Sequence, residues 1–217
     1  MELANLFSDH VAKRQSSTEA ALSHAGFDTL VISSGVPFTY FADDHEAPFW
    51  PTPHFAHWCP LKGPHHLLKI VRGAKPVLVR HVPEDFWYGP PDTMEPFWVD
   101  NFELIEVGTP GAAWDALGRP PRTAYIGSQE DRAQAHGLSA NPRELTARLD
   151  WERSFKSPYE IQCLEAATSL ARRSSSRSLA QRSSATSRPR SRSPNSNPMT
   201  SPPSARSSYS SHRFWGL

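Results

Sequence analysis

The stretch Gly26-Phe27-Asp28-Thr29-Leu30-Val31-Ile32-Ser33-Ser34-Gly35 decides how this chain folds. Its centre is a short β-branched run of the kind that forms a buried strand, closed by Ser34-Gly35. Upstream, Leu3, Phe7, Val11, Thr18, Leu22 and Ala25 recur at a roughly helical period with charges between them. Gly26 then stands where a helix C-cap would. Helix, glycine turn and buried strand in that order predict the opening of an α/β domain.

Downstream, residues 36–64 carry Pro37, Pro48, Pro51, Pro53 and Pro60, which break any long element, while Phe38, Tyr40, Phe41, Phe49, Trp50, Phe55 and Trp58 supply bulk. An irregular stretch this rich in aromatics predicts a functional loop rather than a linker. His66–Val71 and Pro76–Arg80 are apolar runs around Arg72-Gly73-Ala74-Lys75, the pattern of a β-hairpin. A second aromatic loop covers Asp85–Pro91 and Phe97-Trp98. Leu104–Val107 and Thr123–Gly127 are further strand candidates, each followed by a short helical stretch, so a mixed or mostly parallel sheet flanked by helices is expected. Ser157-Pro158-Tyr159-Glu160 forms a capping box with proline at the first helical position. The helix it starts runs to Ala171, with Ile161, Leu164, Thr168 and Ala171 on one face that needs a partner surface.

The chain of 217 residues has a formal net charge of +1, which hides a division. Residues 1–171 hold 14 basic and 22 acidic residues, a net of −8, with six of the seven Trp and ten of the eleven Phe. Residues 172–217 hold nine Arg, sixteen Ser and no Asp, Glu or Lys, a net of +9. The first part can bury a core; the second has too little apolar surface to offset the entropy of ordering it and is expected to be disordered. Cys59 and Cys163 suggest neither a disulfide framework nor a metal knuckle. The N-terminus shows no secretory signal and no apolar run long enough for a membrane span, so a cytoplasmic protein is expected.

Several pieces together resemble the amino-terminal half of bacterial Xaa-Pro dipeptidases (prolidases), members of the creatinase/aminopeptidase P group of metallopeptidases. They are the N-terminal helix, Leu30–Gly35, Phe41-Ala42-Asp43-Asp44, Pro83-Glu84-Asp85-Phe86-Trp87, Ala124-Tyr125-Ile126-Gly127 and Lys156–Glu160, in the right order over residues 1–171. The resemblance implies three segments. Residues 1–152 form a creatinase/prolidase-type N-terminal domain, a mixed sheet with helices on its faces. Residues 153–171 form the first helix of a pita-bread catalytic domain, and 172–217 are a disordered Arg/Ser/Pro-rich tail.

In that family the catalytic domain holds two Mn²⁺ through two Asp, one His and two Glu downstream of this helix, and cleaves dipeptides with C-terminal proline. No carboxylate follows Glu165 here. The chain is therefore expected to lack the catalytic domain, to hold no metal or other cofactor, to carry no catalytic residue and to be inactive alone. The tail would arise from an out-of-frame reading of a gene about twice as long.

The resemblance also implies a homodimer in which Asp44 reaches the partner's active site near the substrate's free amino group and Trp87 lines the same mouth. A carboxylate against an ammonium, beside an aromatic wall, is sound chemistry for that role. The plainer reading is that Asp43-Asp44 caps a turn and Trp87 is core. His54, His57, Cys59, His65 and His66 resemble a metal cluster by residue type, but their spacing is that of ordinary loop histidines. Gly35, Gly73 and Gly127 belong to no phosphate-binding motif. The rival function is a non-enzymatic binding protein whose basic tail contacts RNA or another polyanion. No aromatic interleaving or folded RNA-binding motif supports it, so nucleic acid is not the expected partner.

Overall fold

α1 (Glu2–Ala25) stops where Gly26 takes φ +77°, the left-handed C-cap conformation that glycine adopts without strain. β1 (Thr29–Ser33) follows at once and is buried at all five positions. The computed structural model describes residues 2–84 and 94–186, with 174–186 in backbone only. The expected hairpin is present as β2 (Leu67–Val71) and β3 (Val77–His81), antiparallel in the register Leu68 to Leu78. The two later strand candidates are β4 (Glu103–Val107) and β5 (Thr123–Ile126).

The strands lie in one sheet in the order β4-β3-β2-β1-β5-β6, β6 being the two-residue Ser139–Ala140. β1 pairs antiparallel with β2 but parallel with β5, and β3–β4 and β5–β6 are parallel, so the sheet is mixed. Its central strand is thus the one opened by Gly26.

Side chains alternate between two covered faces, as the strand period of two requires. Leu30, Ile32, Leu68, Ile70, Leu78, Ala124 and Ile126 point to one core. There they meet α1, α2 (Pro53–Ala56), α3 (Pro96–Val99) and α6 (Arg143–Ser154) through Phe7, Phe55, Trp98 and Leu145. Val31, Leu67, Val79 and Tyr125 point to the other, against Trp114 of α4 (Pro110–Asp115) and Ala133 of α5 (Glu130–Ala135). Gly127 closes β5 where a Cβ would fall on the Tyr125 hydroxyl and within 2.9 Å of Ser33 Cβ. Its glycine is a packing requirement rather than part of a phosphate loop.

α6 has no counterpart in the sequence reading. It buries only Leu145 and Leu149, six of its twelve residues are charged, and Pro142 rather than a capping side chain precedes it. α7 (Pro158–Thr186) runs past Ala171, where the apolar stripe ends. No proline or glycine follows Pro158 until Pro189, so nothing in the covalent chain stops it sooner. The chain divides into two units, Met1–Ser169 and Leu170–Leu217, and the sheet with α1–α6 lies in the first. Residues 187–217, most of the expected tail, lie outside the described residues, and so does Trp87. Among the described residues no helix is long and apolar enough to cross a membrane.

Candidate functional site

Asp44 sits at the tip of a small loop tied at its base. Thr39 bridges Glu46, the Ala47 amide donates to Phe38 O at 2.8 Å and the Tyr40 amide to His45 O at 3.1 Å. Ala42 turns the tip with φ +58°. Asp43 Oδ1 accepts the His45 amide at 3.1 Å and faces His45 Nδ1 at 2.8 Å, and Asp44 Oδ1 lies 3.1 Å from the same nitrogen. One imidazole N–H is thus shared between two carboxylates, so the proton resides on Nδ1. The His45 hydrogen bonds hold the Asp43 carboxyl below its ordinary range.

The Asp44 side chain is 96% exposed. In the same loop Phe41 is 99% exposed, and Phe38 and Tyr40 stack edge-on at 6.0 Å. Among the described residues no aromatic wall encloses the carboxylate. What the loop presents is an acid and several apolar rings held outward on a pinned turn. Asp43, Asp44 and His45 also place three ligand atoms within 4.8 Å of one another. Three groups on one exposed turn, with the imidazole already engaged by both acids, do not fit a two-metal centre of five ligands.

The other constellation is buried. Helical spacing places Phe7, His10, Val11, Arg14 and Thr18 on the covered face of α1. That spacing was the available signal for His10 and Arg14, which a search for motifs passes over. His10 Nε2 lies 2.7 Å from the His57 carbonyl oxygen, which can only accept, so this nitrogen carries the proton. Nδ1 is then the acceptor, and the Ser157 hydroxyl donates to it at 2.8 Å. Burial lowers the His10 pKa, helped by Arg14 and Lys13 and opposed by the His57 carbonyl and Glu160, which keeps the ring neutral.

Ser157 and Glu160 complete the capping box read from sequence. Glu160 N–H donates to Ser157 Oγ at 3.3 Å, and Ser157 N–H donates to Glu160 Oε2 at 2.9 Å. Tyr159 meets Phe7 edge-to-face at 5.0 Å. His57, pushed down to about 4 by burial with Arg14, His10 and Arg153 adding to it, lies 3.4 Å from Glu160 Oε1. Burial works against the Glu160 carboxylate, but the Ser157 amide and the neighbouring His57, His10 and Lys156 hold its pKa below the ordinary value.

A serine hydroxyl on an imidazole nitrogen has the outline of a nucleophile and its base. Here the other imidazole nitrogen faces a carbonyl rather than a carboxylate, the serine caps a helix, and Ser157 is 1% exposed. The arrangement is a latch that fastens the first turn of α7 to α1. Just beyond that turn Ile161 is 47% and Leu164 55% exposed.

The remaining histidines and Cys59 go to separate partners. His54 faces Asp150 at 3.2 Å. His66 donates to Lys62 O at 2.8 Å and accepts the His81 amide at 3.0 Å. Cys59 is a free thiol in the core, pushed up to about 12 by burial, and Cys163 is free and exposed.

A family model described as the N-terminal domain of Xaa-Pro dipeptidase matches residues 5–151. The Xaa-Pro dipeptidase of Pseudoalteromonas atlantica is 35% identical over 173 residues, covering 78% of this chain and 39% of that protein. That of Xanthomonas campestris is 35% identical over 174 residues, covering 79% and 39%. A solved structure from Bacillus anthracis, assigned to aminopeptidase P, matches more loosely, with TM-score 0.49 and 12% identity over 71% of this chain and 42% of that one. The chain spans about two fifths of the length of the curated relatives it matches.

Proposed function

The chain belongs to the family of Xaa-Pro dipeptidase N-terminal domains, and from this we propose that it serves a peptidase acting on dipeptides with C-terminal proline, as the part that pairs two subunits and closes the partner's active site. The observation that carries the reading is the loop around Asp44. A carboxylate 96% exposed among outward-facing aromatic rings suits a tip that is covered only when a second subunit receives it. There Asp44 takes the substrate's free ammonium, and Trp87 lines the same mouth. The two manganese ions belong to the catalytic part, since the acids gathered among the described residues do not match that donor set. The Ser157–His10 latch fastens the first turn of α7 to α1. A cytoplasmic setting suits the two free thiols.

The test joins residues 1–157 to the downstream part of the Pseudoalteromonas atlantica dipeptidase and measures proline release from Leu-Pro with Mn²⁺. The joined protein releases proline, and Asp44→Asn lowers kcat/KM by about tenfold or more, chiefly through KM, the loss of one charge-assisted contact. Unchanged kinetics in Asp44→Asn contradict the role given to this residue.

A further inference from the structure

We propose that Arg14 holds one small inorganic anion, the size of chloride, in the cavity between α1, α2 and α6. Arg14 is 3% exposed, and its Nε and Nη2 have no hydrogen-bond partner. Nη1 donates to Glu152 O at 3.2 Å and approaches His57 Nε2 at 3.5 Å. That imidazole nitrogen also faces Glu160 Oε1 at 3.4 Å, and a neutral ring can serve the carboxylate or the guanidinium there but not both.

Burial disposes of charge on the neighbouring histidines by leaving them neutral. A guanidinium has no such exit, because it does not shed its proton inside proteins. Buried charge therefore needs a counter-charge or a full set of partners. Among the described residues no carboxylate oxygen lies within 4.0 Å of Arg14, and the acids nearby are already engaged. Glu152 Oε2 accepts the Ser17 hydroxyl at 3.3 Å, and Asp150 pairs with His54 at 3.2 Å and Arg153 at 2.8 Å.

The cavity that Arg14 lines offers about 20 Å³ to the centre of a water-sized sphere. That is room for a single small occupant such as a monatomic ion. Arg153 and the hydroxyl-bearing Ser17 and Thr18 share its wall, and the Glu152 carboxylate is the one group there that opposes an anion. A water molecule would satisfy the two orphan donors and leave the charge uncompensated; a chloride ion, somewhat larger than water, does both. The inference stands apart from the peptidase reading and uses none of its residues.

Thermal unfolding of the purified full chain at pH 7.5 and fixed ionic strength, with chloride exchanged for gluconate, tests it. With chloride at tenfold its dissociation constant, Tm rises by about 3 °C, and Arg14→Met removes the rise. A crystal soaked in bromide supplies a readout that needs no variant: an anomalous peak within hydrogen-bond reach of Arg14 Nε or Nη2. Equal Tm in both salts, the same chloride rise in Arg14→Met, or a cavity holding water without anomalous signal would each overturn the proposal.

Discussion

His57 and His66 are both buried as neutral rings and pushed down to about 4, in each case chiefly because burial penalises the imidazolium. Arg14, His10 and Arg153 add to the effect at His57 against Glu160, and His81, Arg80 and His65 add to it at His66 against the Lys62 carbonyl. In the unfolded chain a histidine takes its proton near about 6.5. Unfolding therefore binds protons between that value and about 4, and stability falls as the pH falls through this window. Glu160, held below its ordinary value, acts in the same direction, because its contribution is present above the unfolded pKa and lost at lower pH. Urea midpoints at pH 7.5 and pH 5 should show the lower stability at pH 5. His66→Gln, which keeps a donor for the Lys62 carbonyl, should narrow the gap. Equal midpoints at the two pH values would remove this account of the buried histidines.

Among the elements, α7 has two regimes. Its first turn is fastened by Ser157, Tyr159 and Glu160, while Ile161, Leu164 and Leu170 stand exposed. Ser157→Ala removes the N-cap and leaves His10 Nδ1 buried without a donor, a loss of about 2 kcal/mol. Amide exchange read by mass spectrometry should show residues 161–173 opening readily in the parent chain, with the turn around Glu160 protected and losing that protection in Ser157→Ala. Strong protection along the whole helix in a monomer would contradict it.

The capping box, the hairpin and β1 were legible because each is a local pattern: a fixed offset, a short turn, a β-branched run after glycine. The latch was not, since His10 and Ser157 are 147 residues apart in sequence. The buried Arg14 was hidden too, because its residue type argues for solvent and only its helical spacing argues otherwise. α6 escaped notice because two buried leucines among charges give little periodic signal, and α2 and α3 because four residues are too few to show a period. Asp44 could be singled out only through resemblance; nothing about an acid in a loop distinguishes a substrate contact from a turn cap.

At the scale of the molecule, the chain carries an acidic, aromatic-rich portion with a complete two-faced core and a basic portion with almost no apolar residues. The first holds residues 5–151, which match the N-terminal-domain model of the dipeptidase family. The domain holds an exposed acid beside outward-facing aromatic rings and a capped helix start fastened to α1, the features on which the proposed role in pairing and covering rests. Among the described residues the one cluster of possible ligands is Asp43, Asp44 and His45, which does not supply the oxygen ligands that two divalent ions require. The direct test is equilibrium dialysis of the purified chain against Mn²⁺, with proline release from Leu-Pro measured on the same sample. The account predicts no tightly held pair of ions and no proline; two manganese ions per chain together with proline release would contradict it.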